Sequence, residues 1–265
     1  MFLSNMPPDV LMREARAAKA IYLATFPGSL ALDRLRALPI LKDVAADAIQ
    51  RVASAASWRS YDPAGLILDE SDPSTDVWFV LEGSVLISIR TPAGREMILS
   101  ELGPGEMFGE ISAIDGAGRT AGVTAITRAR LCSIPAPAFL EAARSTPAAS
   151  LGLLKAVAAI LRRQAKRSVE REALPVRLRL CAELLRLSRL RTNAEVGGER
   201  IVSPPPVHHV LAARIGSRRE VVSRELGELA REGLVRRSQG GLVLPMPAAL
   251  THALDAKLEG QGVAR

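Results

Sequence analysis

Residues 108–121 read FGEISAIDGAGRTA, and we call this segment the cassette. Gly109 allows the backbone to approach a ligand closely, and the helical turn expected after it would point N–H groups at an anion. Glu110 supplies a carboxylate that can accept hydrogen bonds from ribose hydroxyls. Arg119, nine residues later, supplies a planar guanidinium suited to phosphate oxygens. The cassette therefore predicts a sugar-phosphate site, with a structural ion pair between Glu110 and Arg119 as the alternative.

The sequence around the cassette predicts a barrel of short strands. Between residues 58 and 135, apolar runs such as VWFVL (77–81) and VLISI (85–89) alternate with turn signals rich in Gly, Pro and Asp. Many short strands at close, regular spacing are typical of a β-barrel or jelly roll. Residues 30–56, which precede the strands, have helical spacing.

After residue 137 the apolar spacing becomes that of a long helix. Apolar residues recur at intervals of three and four, as in a heptad seam, at Leu151, Leu154, Ala158, Leu161 and Ala165. Such a seam pairs with a second copy of the helix, or it packs as an ordinary core-facing stripe. A further helix is predicted at residues 176–190, followed by a loop at 191–198.

The positive charge of the chain is concentrated in its C-terminal part. The formal net charge is +7, and residues 162–237 hold 18 Lys and Arg against 9 Glu. The remainder of the 265-residue chain holds 17 basic and 19 acidic residues. A basic half joined to a near-neutral half suggests that the basic half contacts a nucleic acid. A solvated, arginine-rich surface is the alternative.

Residues 207–235 have the pattern of two helices joined by a tight turn. Gly216 is expected to end the first helix, because glycine readily adopts the left-handed conformation found there. The pattern predicts a helix-turn-helix whose second helix presents to base edges the residues Arg218, Arg219, Glu220, Ser223 and Arg224. Arg can bind guanine, and Glu can accept from cytosine. Arg236 and Arg237, in the hairpin that follows, are predicted phosphate contacts. A solvated helix face is the alternative for these charges.

Several function classes are excluded by what the sequence lacks. No uncharged apolar run approaches the roughly 18 residues that cross a bilayer, which excludes a multi-span membrane protein. Cys132 and Cys181 lie far apart and form no C-x-x-C pair, which excludes a disulfide scaffold and a Cys-pair zinc site. No secretory signal is evident, so we expect a cytoplasmic location. No common catalytic motif occurs, so we expect no enzyme and no metal.

The cassette resembles the phosphate-binding cassette of cyclic-nucleotide-binding domains, through GEIS at 109–112 and RTA at 119–121. The segments LAARIG (211–216) and REVVSREL (219–226) are similar to the helix-turn-helix of the cyclic AMP receptor and FNR (CRP/FNR) family of transcription regulators. The resemblance covers residues 30–250. It implies a ligand site formed by Gly109, Glu110, Ile111, Ser112, Arg119, Thr120, Ala121 and Gln164.

The resemblance implies cAMP as an allosteric ligand, with cGMP as the alternative. In the bacterial receptors of this family, a Thr-Ser pair midway along the long helix meets the adenine. Gln164 and Ala165 stand at those positions here, so Gln164 is the expected contact to the purine edge. Thr120 is the reason that cGMP stays an alternative ligand, because a hydroxyl at this position reaches the guanine amino group in some relatives.

The resemblance also implies an α+β fold and a domain order. The expected parts are an N-terminal extension (1–29), a jelly-roll-like β-roll that binds cyclic nucleotide (30–146), a dimerisation helix (147–174), a winged helix-turn-helix (175–250) and a C-terminal tail (251–265).

The partners that the resemblance implies are nucleic acid and protein. The protein would be a homodimer that binds double-stranded DNA at a palindromic site, with RNA polymerase as a further partner and no membrane. Arg219 favours GTGA-type half-sites. Two alternatives stay open: a regulator of the same fold that is constitutive or senses another ligand, and a cyclic-nucleotide-binding module that regulates a protein partner.

Overall fold

The computed structural model describes residues 22–23, 28–92, 94, 96–191 and 198–260. The chain divides into two compact units, residues 1–161 and 162–265. Within the described ranges, no helix is both long enough and apolar enough to span a membrane.

The first unit is a β-roll with helices before it, after it and, in one case, between two of its strands. Its strands are β1 (Tyr22–Leu23), β2 (Ser57–Tyr61), β3 (Leu66–Leu68), β4 (Val77–Glu82), β5 (Val85–Arg90), β6 (Glu96–Leu102), β7 (Met107–Phe108), β8 (Gly122–Ala125) and β9 (Ala129–Ile134). Its helices are α1 (Gly28–Arg36), α2 (Ala46–Ala55), α3 (Glu110–Asp115), α4 (Ala136–Arg144) and the first part of α5 (Pro147–Ala173). The strands form two antiparallel sheets, in the orders β1-β2-β9-β4-β7 and β3-β8-β5-β6. The predicted roll of short strands is confirmed.

Strand β4 lies between two hydrophobic clusters. Successive side chains of a strand point to opposite faces, so Val77 and Phe79 pack with buried residues of α1, α2 and α4. Trp78 and Val80 point the other way and pack with residues of β2, β8 and β9 inside the roll. The Trp78 ring is stacked on that of Phe108, with 6.1 Å between the ring centroids. Each fully buried side chain of this size stabilises the fold by about 1.5–3 kcal/mol, which makes β4 the centre of the unit.

Helix α5 is 27 residues long, and among its described side chains only Ala149 is fully buried. The seam residues Leu151, Leu154 and Leu161 are 50, 66 and 65% exposed. The described part of this chain therefore does not bury the seam as a core-facing stripe.

The second unit begins within α5 and forms a winged helix-turn-helix. Its further elements are α6 (Val176–Leu187), β10 (Arg189–Leu190), β11 (Arg200–Val202), α7 (His208–Ile215), α8 (Arg219–Arg231), β12 (Arg236–Ser238), β13 (Gly241–Leu244) and α9 (Pro247–Glu259). The strands form an antiparallel sheet in the order β10-β11-β13-β12. Its core is made by the inward faces of α6, α7 and α8 together with β13.

The C-terminal segment differs from the predicted tail. Helix α9 continues to Glu259, so the expectation of a tail is wrong for residues 251–259. Leu250, Leu254 and Leu258 are buried, because a spacing of four residues places them on one helical face. Leu254 and Leu258 pack with Leu174 in a small cluster of the second unit.

Two further segments contain strands where none was predicted. The helix predicted at 176–190 ends at Leu187, and residues 189–190 form β10 instead. Strands β10 and β11 flank the loop expected at 191–198 and pair through Arg189 with Ile201 and Leu190 with Arg200. In the expected extension, β1 pairs with β2, and α1 begins at Gly28. The remainder of the extension lies outside the described residues. Strands of two or three residues carry too little periodicity to be recognised in the sequence.

Candidate functional site

The cassette is built around Gly109, a position that accepts no residue with a side chain. Gly109 separates β7 from α3 and has φ of +82°, which L side chains rarely adopt. A Cβ atom at this position would lie 2.5 Å from Nη1 of Arg119 and 2.7 Å from the carbonyl oxygen of Asp76. The missing side chain therefore makes the space that the guanidinium occupies.

Arg119 is buried, with 8% of its surface exposed, and is held by acceptors from two loops. Its Nη2 donates to Oγ of Ser74 at 2.8 Å and to the carbonyl of Asp76 at 3.0 Å. Its Nη1 donates to the carbonyl of Gly109 at 3.3 Å. Its Nε is buried and has no hydrogen-bond partner among the described residues. The guanidinium is thus fixed in place by neutral oxygen atoms and keeps its positive charge.

Carboxylates near Arg119 set the electrostatics of the cassette. Burial lowers the pKa of Arg119, whereas the charges of Asp72, Asp76 and Glu110 raise it. Glu110 itself is buried in the first turn of α3, where the helix dipole favours a negative charge. The structure therefore brings Gly109, Glu110 and Arg119 together, as the cassette predicted.

The other predicted ligand contacts divide between buried and exposed positions. Ser112 is buried, and its hydroxyl donates to the carbonyl of Gly118 at 3.1 Å, which closes the loop in front of Arg119. Ala121 is buried, whereas Ile111 and Thr120 are exposed.

Gln164 is an exposed residue of α5 and belongs to the second unit. Its expected contact with the purine therefore stays a prediction.

Sequence reasoning missed the loop that holds Arg119. Asp72 accepts a hydrogen bond from the backbone N–H of Ser74 at 2.8 Å, a turn that presents the Ser74 hydroxyl to the guanidinium. Partial burial raises the pKa of Asp72, but the hydrogen bonds from Ser74 and the charge of Arg119 outweigh it, so the pKa is lowered. The sequence Asp72-Pro73-Ser74 predicts a turn. It does not predict that Ser74 accepts a hydrogen bond from Arg119, 45 positions away.

The predicted helix-turn-helix is present in the second unit. Helix α7 ends at Ile215, and Gly216 follows in the left-handed conformation with φ of +65°. The N–H of Ser217 donates to the carbonyl of Ala212 at 2.9 Å. The inward face of α8 is buried at Val222, Leu226 and Leu229. The turn and the apolar stripe fix which face of α8 remains outside.

All the predicted DNA contacts are exposed on the surface of the second unit. On α8 and its N-cap they are Arg218, Arg219, Glu220, Ser223 and Arg224, and on β12 they are Arg236 and Arg237. Two of them form exposed ion pairs, Arg224 with Glu225 at 3.1 Å and Arg236 with Glu199 at 3.5 Å.

His208, at the start of α7, connects the wing electrostatically with α8. Partial burial lowers its pKa, and the positive charges of Arg237 and Arg219 lower it further. Arg237 of the wing and Arg219 at the start of α8 therefore both lie near enough to His208 for their charges to act on it.

Two family models match the chain. The model for a cyclic nucleotide-binding domain matches residues 58–146, which include the cassette. The model for a Crp-like helix-turn-helix domain matches residues 178–253, which include α7 and α8.

Curated relatives and solved structures give the same result. A CRP-like cAMP-activated global transcriptional regulator from Mycobacterium tuberculosis is 31% identical over 170 residues, which are 64% of this chain and 75% of the relative. A cyclic AMP receptor protein from Thermus thermophilus is 30% identical over 209 residues, which are 78% of this chain and 92% of the relative. A crystal structure of a CRP/FNR-family transcriptional regulator from Thermus thermophilus matches with a TM-score of 0.60 and 26% identity, covering 76% of this chain and 99% of that chain.

These similarities confirm the predicted family and fold class. They also confirm the expectation that the protein is not an enzyme, because the family consists of transcription regulators. The chain belongs to the CRP/FNR family of dimeric, DNA-binding transcription regulators and carries the cyclic-nucleotide-binding domain of that family.

Proposed function

We propose that cAMP binds at the cassette and controls the binding of DNA by the helix-turn-helix. The observation that carries the proposal is Arg119, a buried guanidinium held in a glycine cradle with one N–H group unpartnered among the described residues. The two relatives described above are named for cAMP, which favours it over cGMP. The residues present fit a cyclic nucleotide, which would supply one phosphate anion and one ribose hydroxyl.

Each cassette residue has a distinct role in this proposal. Arg119 binds the cyclic phosphate, and Glu110 accepts a hydrogen bond from the ribose hydroxyl. Gly109 keeps the space open, while Ile111, Ser112, Thr120 and Ala121 shape the wall of the site. Gln164 donates to or accepts from the purine edge. Ser74 acts as a positioning residue, because it holds Arg119 and makes no proposed contact with the ligand.

The proposed DNA site is a palindrome of GTGA-type half-sites. The outward face of α8 reads the bases, with Arg219 on guanine and Glu220 on cytosine. Arg236 and Arg237 bind phosphates from the wing. RNA polymerase is the proposed protein partner of the DNA-bound dimer.

The exposed seam of α5 is the proposed contact between the two copies. Leu151, Leu154 and Leu161 are exposed here and would be buried by a partner helix. A dimer that places two recognition helices about 34 Å apart can engage successive major grooves. The nucleotide acts by its higher affinity for that arrangement, since a ligand shifts a population only through differential affinity.

Calorimetric titration of the full-length protein with cAMP, and in parallel with cGMP, tests the ligand. Adenosine 5′-monophosphate serves as the control, because it shares the base and ribose but not the cyclic phosphate. We expect saturable binding of cAMP at micromolar concentration and weaker binding of cGMP. Heat from neither cyclic nucleotide would contradict the proposal and identify Glu110 and Arg119 as a structural pair.

Selection of DNA from a random library, with and without cAMP, tests the regulated partner. We expect palindromic sites to be enriched only in the presence of the nucleotide. Equal enrichment without cAMP would support a constitutive regulator or one that senses another ligand. No enrichment together with binding of cAMP would support a module that regulates a protein.

A further inference from the structure

An open pocket in the second unit is lined by five arginines. They are Arg167 and Arg171 on α5, Arg179 and Arg186 on α6, and Arg214 at the end of α7. Residues three or four positions apart share one helical face. The arginine-bearing faces of α5 and α6 and the end of α7 line the same pocket. We call this feature the arginine pocket. None of its residues belongs to the cassette or to the predicted DNA contacts.

Two glutamates of the same pocket neutralise part of this charge. Glu183 is 1% exposed and accepts hydrogen bonds from Arg186 and from Arg214, the latter over 3.3 Å from Nη1 to Oε1. Arg186 also donates to Glu170 over 2.7 Å from Nη2 to Oε2. Five guanidinium groups against two carboxylates leave a formal charge of +3 around the pocket.

The excess charge is partly shielded from water. Burial lowers the pKa of Arg179, and the neighbouring charge of Arg171 lowers it further. Burial also lowers the pKa of Arg167, and the charges of Arg186 and Arg214 act in the same direction while Glu183 opposes them. A positive charge that has lost solvent is stabilised by a counter-charge at close range.

Arg179 links the arginine pocket to the turn of the helix-turn-helix. Its Nη1 donates to the carbonyl of Ile215, the last residue of α7, at 2.8 Å. A Cβ atom at Gly216 would lie 3.7 Å from the same Nη1. The Nε of Arg179 is buried and has no hydrogen-bond partner among the described residues. Among the described residues, Arg179 therefore ties the pocket to the end of α7 through Nη1 while its Nε stays without an acceptor.

We propose that the arginine pocket binds an oxyanion of the phosphate class, with Arg171 and Arg179 as its principal donors. Guanidinium groups match the oxygen spacing of phosphate and bind it through paired hydrogen bonds. The anion would compensate the excess charge and steady the turn that leads into α8. Its source is either a free phosphorylated molecule or a backbone phosphate of bound DNA.

The first experiment measures binding of inorganic phosphate by phosphorus-31 nuclear magnetic resonance at constant ionic strength. The full-length protein carries Arg119→Ala, so the cassette cannot contribute. If the anion is a free phosphorylated molecule, we expect saturable binding that Arg171→Gln weakens about tenfold or more, since a charge-assisted hydrogen bond is lost. Arg163→Gln, an exposed arginine of the same helix outside the pocket, is the charge-matched control. Arg179→Gln is a second variant, with its melting curve as the test of folding.

The second experiment separates the two sources of phosphate. Affinity for a nonspecific DNA duplex is measured by fluorescence anisotropy over a range of chloride concentrations, with wild-type protein and the same variants. If the anion is a DNA phosphate, free phosphate does not saturate, and the salt slope of Arg171→Gln falls by about 0.9 relative to Arg163→Gln. If the anion is free, phosphate saturates and the slope is unchanged. The proposal is overturned if Arg171→Gln and Arg163→Gln agree in both experiments.

Discussion

Arg119 and Arg219 are both proposed to bind phosphate-bearing ligands, yet they occupy opposite environments. Arg119 is buried and held by Ser74, Asp76 and Gly109 before any ligand arrives. Arg219 lies exposed in the first turn of α8, next to the exposed Arg218. The first guanidinium is part of the fold of its unit, whereas the second is a surface side chain on a buried scaffold.

The difference predicts two kinds of recognition. A guanidinium that is already fixed loses little rotamer freedom on binding. Because it is buried, its attraction to a small anion is screened less by water than that of an exposed guanidinium. An exposed arginine loses up to about 2 kcal/mol of side-chain entropy and is screened by salt. Its contribution depends on finding two acceptors on one base, so it selects sequence more than it adds affinity. The predictions below test this contrast.

The largest effect is expected at the buried arginine. Arg119→Ala removes the charged donor of the cassette and leaves the nearby carboxylates without compensation. Charged hydrogen bonds contribute about 1.5–3 kcal/mol each, so calorimetry should show cAMP affinity reduced by roughly a hundredfold. Arg128→Ala, at an exposed arginine of the same unit, is the control and should bind normally. If Arg119→Ala bound cAMP with an affinity within twofold of wild type, the proposal that the cassette binds the nucleotide would be contradicted.

The exposed arginine of α8 should show a smaller and sequence-dependent effect. Arg219→Ala should cost about 1–3 kcal/mol at one base pair and relax specificity there. Competition binding with a panel of single-base variants of the selected palindrome measures it. Arg231→Ala, at the far end of the same helix, should leave the pattern intact. An equal loss on every sequence would instead assign Arg219 to a phosphate.

The wing arginine should weaken binding uniformly. Arg237→Ala removes one proposed phosphate contact, so the slope of log affinity against log salt should fall by about 0.9. Salt titrations with specific and nonspecific duplexes measure the slope for both DNA types. Lys257→Ala changes the same charge on the exposed side of α9 and should leave the slope nearly unchanged. A loss confined to one sequence would show that Arg237 reads a base.

The smallest effect is expected at the residue that positions Arg119. Ser74→Ala removes one neutral acceptor while Asp76 and Gly109 still hold the guanidinium, so about 1 kcal/mol is at stake. Calorimetry should therefore show cAMP affinity weakened roughly fivefold, and Ser74→Thr should restore it by keeping the hydroxyl. Ser71→Ala, at an exposed serine of the same loop, is the control. Tighter binding by Ser74→Ala would mean that Ser74 competes with the ligand for Arg119.

The sequence predicted the architecture because its strongest signals are local. The alternation of apolar runs and turn signals predicted the roll, and Gly216 with the apolar spacing of α8 predicted the helix-turn-helix. Gly109, Glu110 and Arg119 were predicted together because one short segment contains all three. In each case, the interacting positions are separated by a few residues or lie within one repeating pattern.

What the sequence did not predict depends on distant contacts. The hydrogen bond from Arg119 to Ser74 crosses 45 positions, and no pattern marks it. The short strands β10 and β11 exist because they add to the sheet of β13, not because of their own periodicity. Helix α9 was missed although Leu250, Leu254 and Leu258 have helical spacing, because the expected end of the domain was placed at residue 250, within this helix.

The packing of α9 decides where the DNA-binding unit can be cut for separate expression. A fragment that stops at residue 250 discards Leu254 and Leu258 and strips the apolar cover from Leu174. Losing a buried leucine costs roughly 2–5 kcal/mol, a large share of the 5–15 kcal/mol by which a typical domain is stable. A fragment that retains residues 173–259 keeps this cluster whole. The contact between the start and the end of the fragment, rather than the recognition helix, therefore sets both of its boundaries.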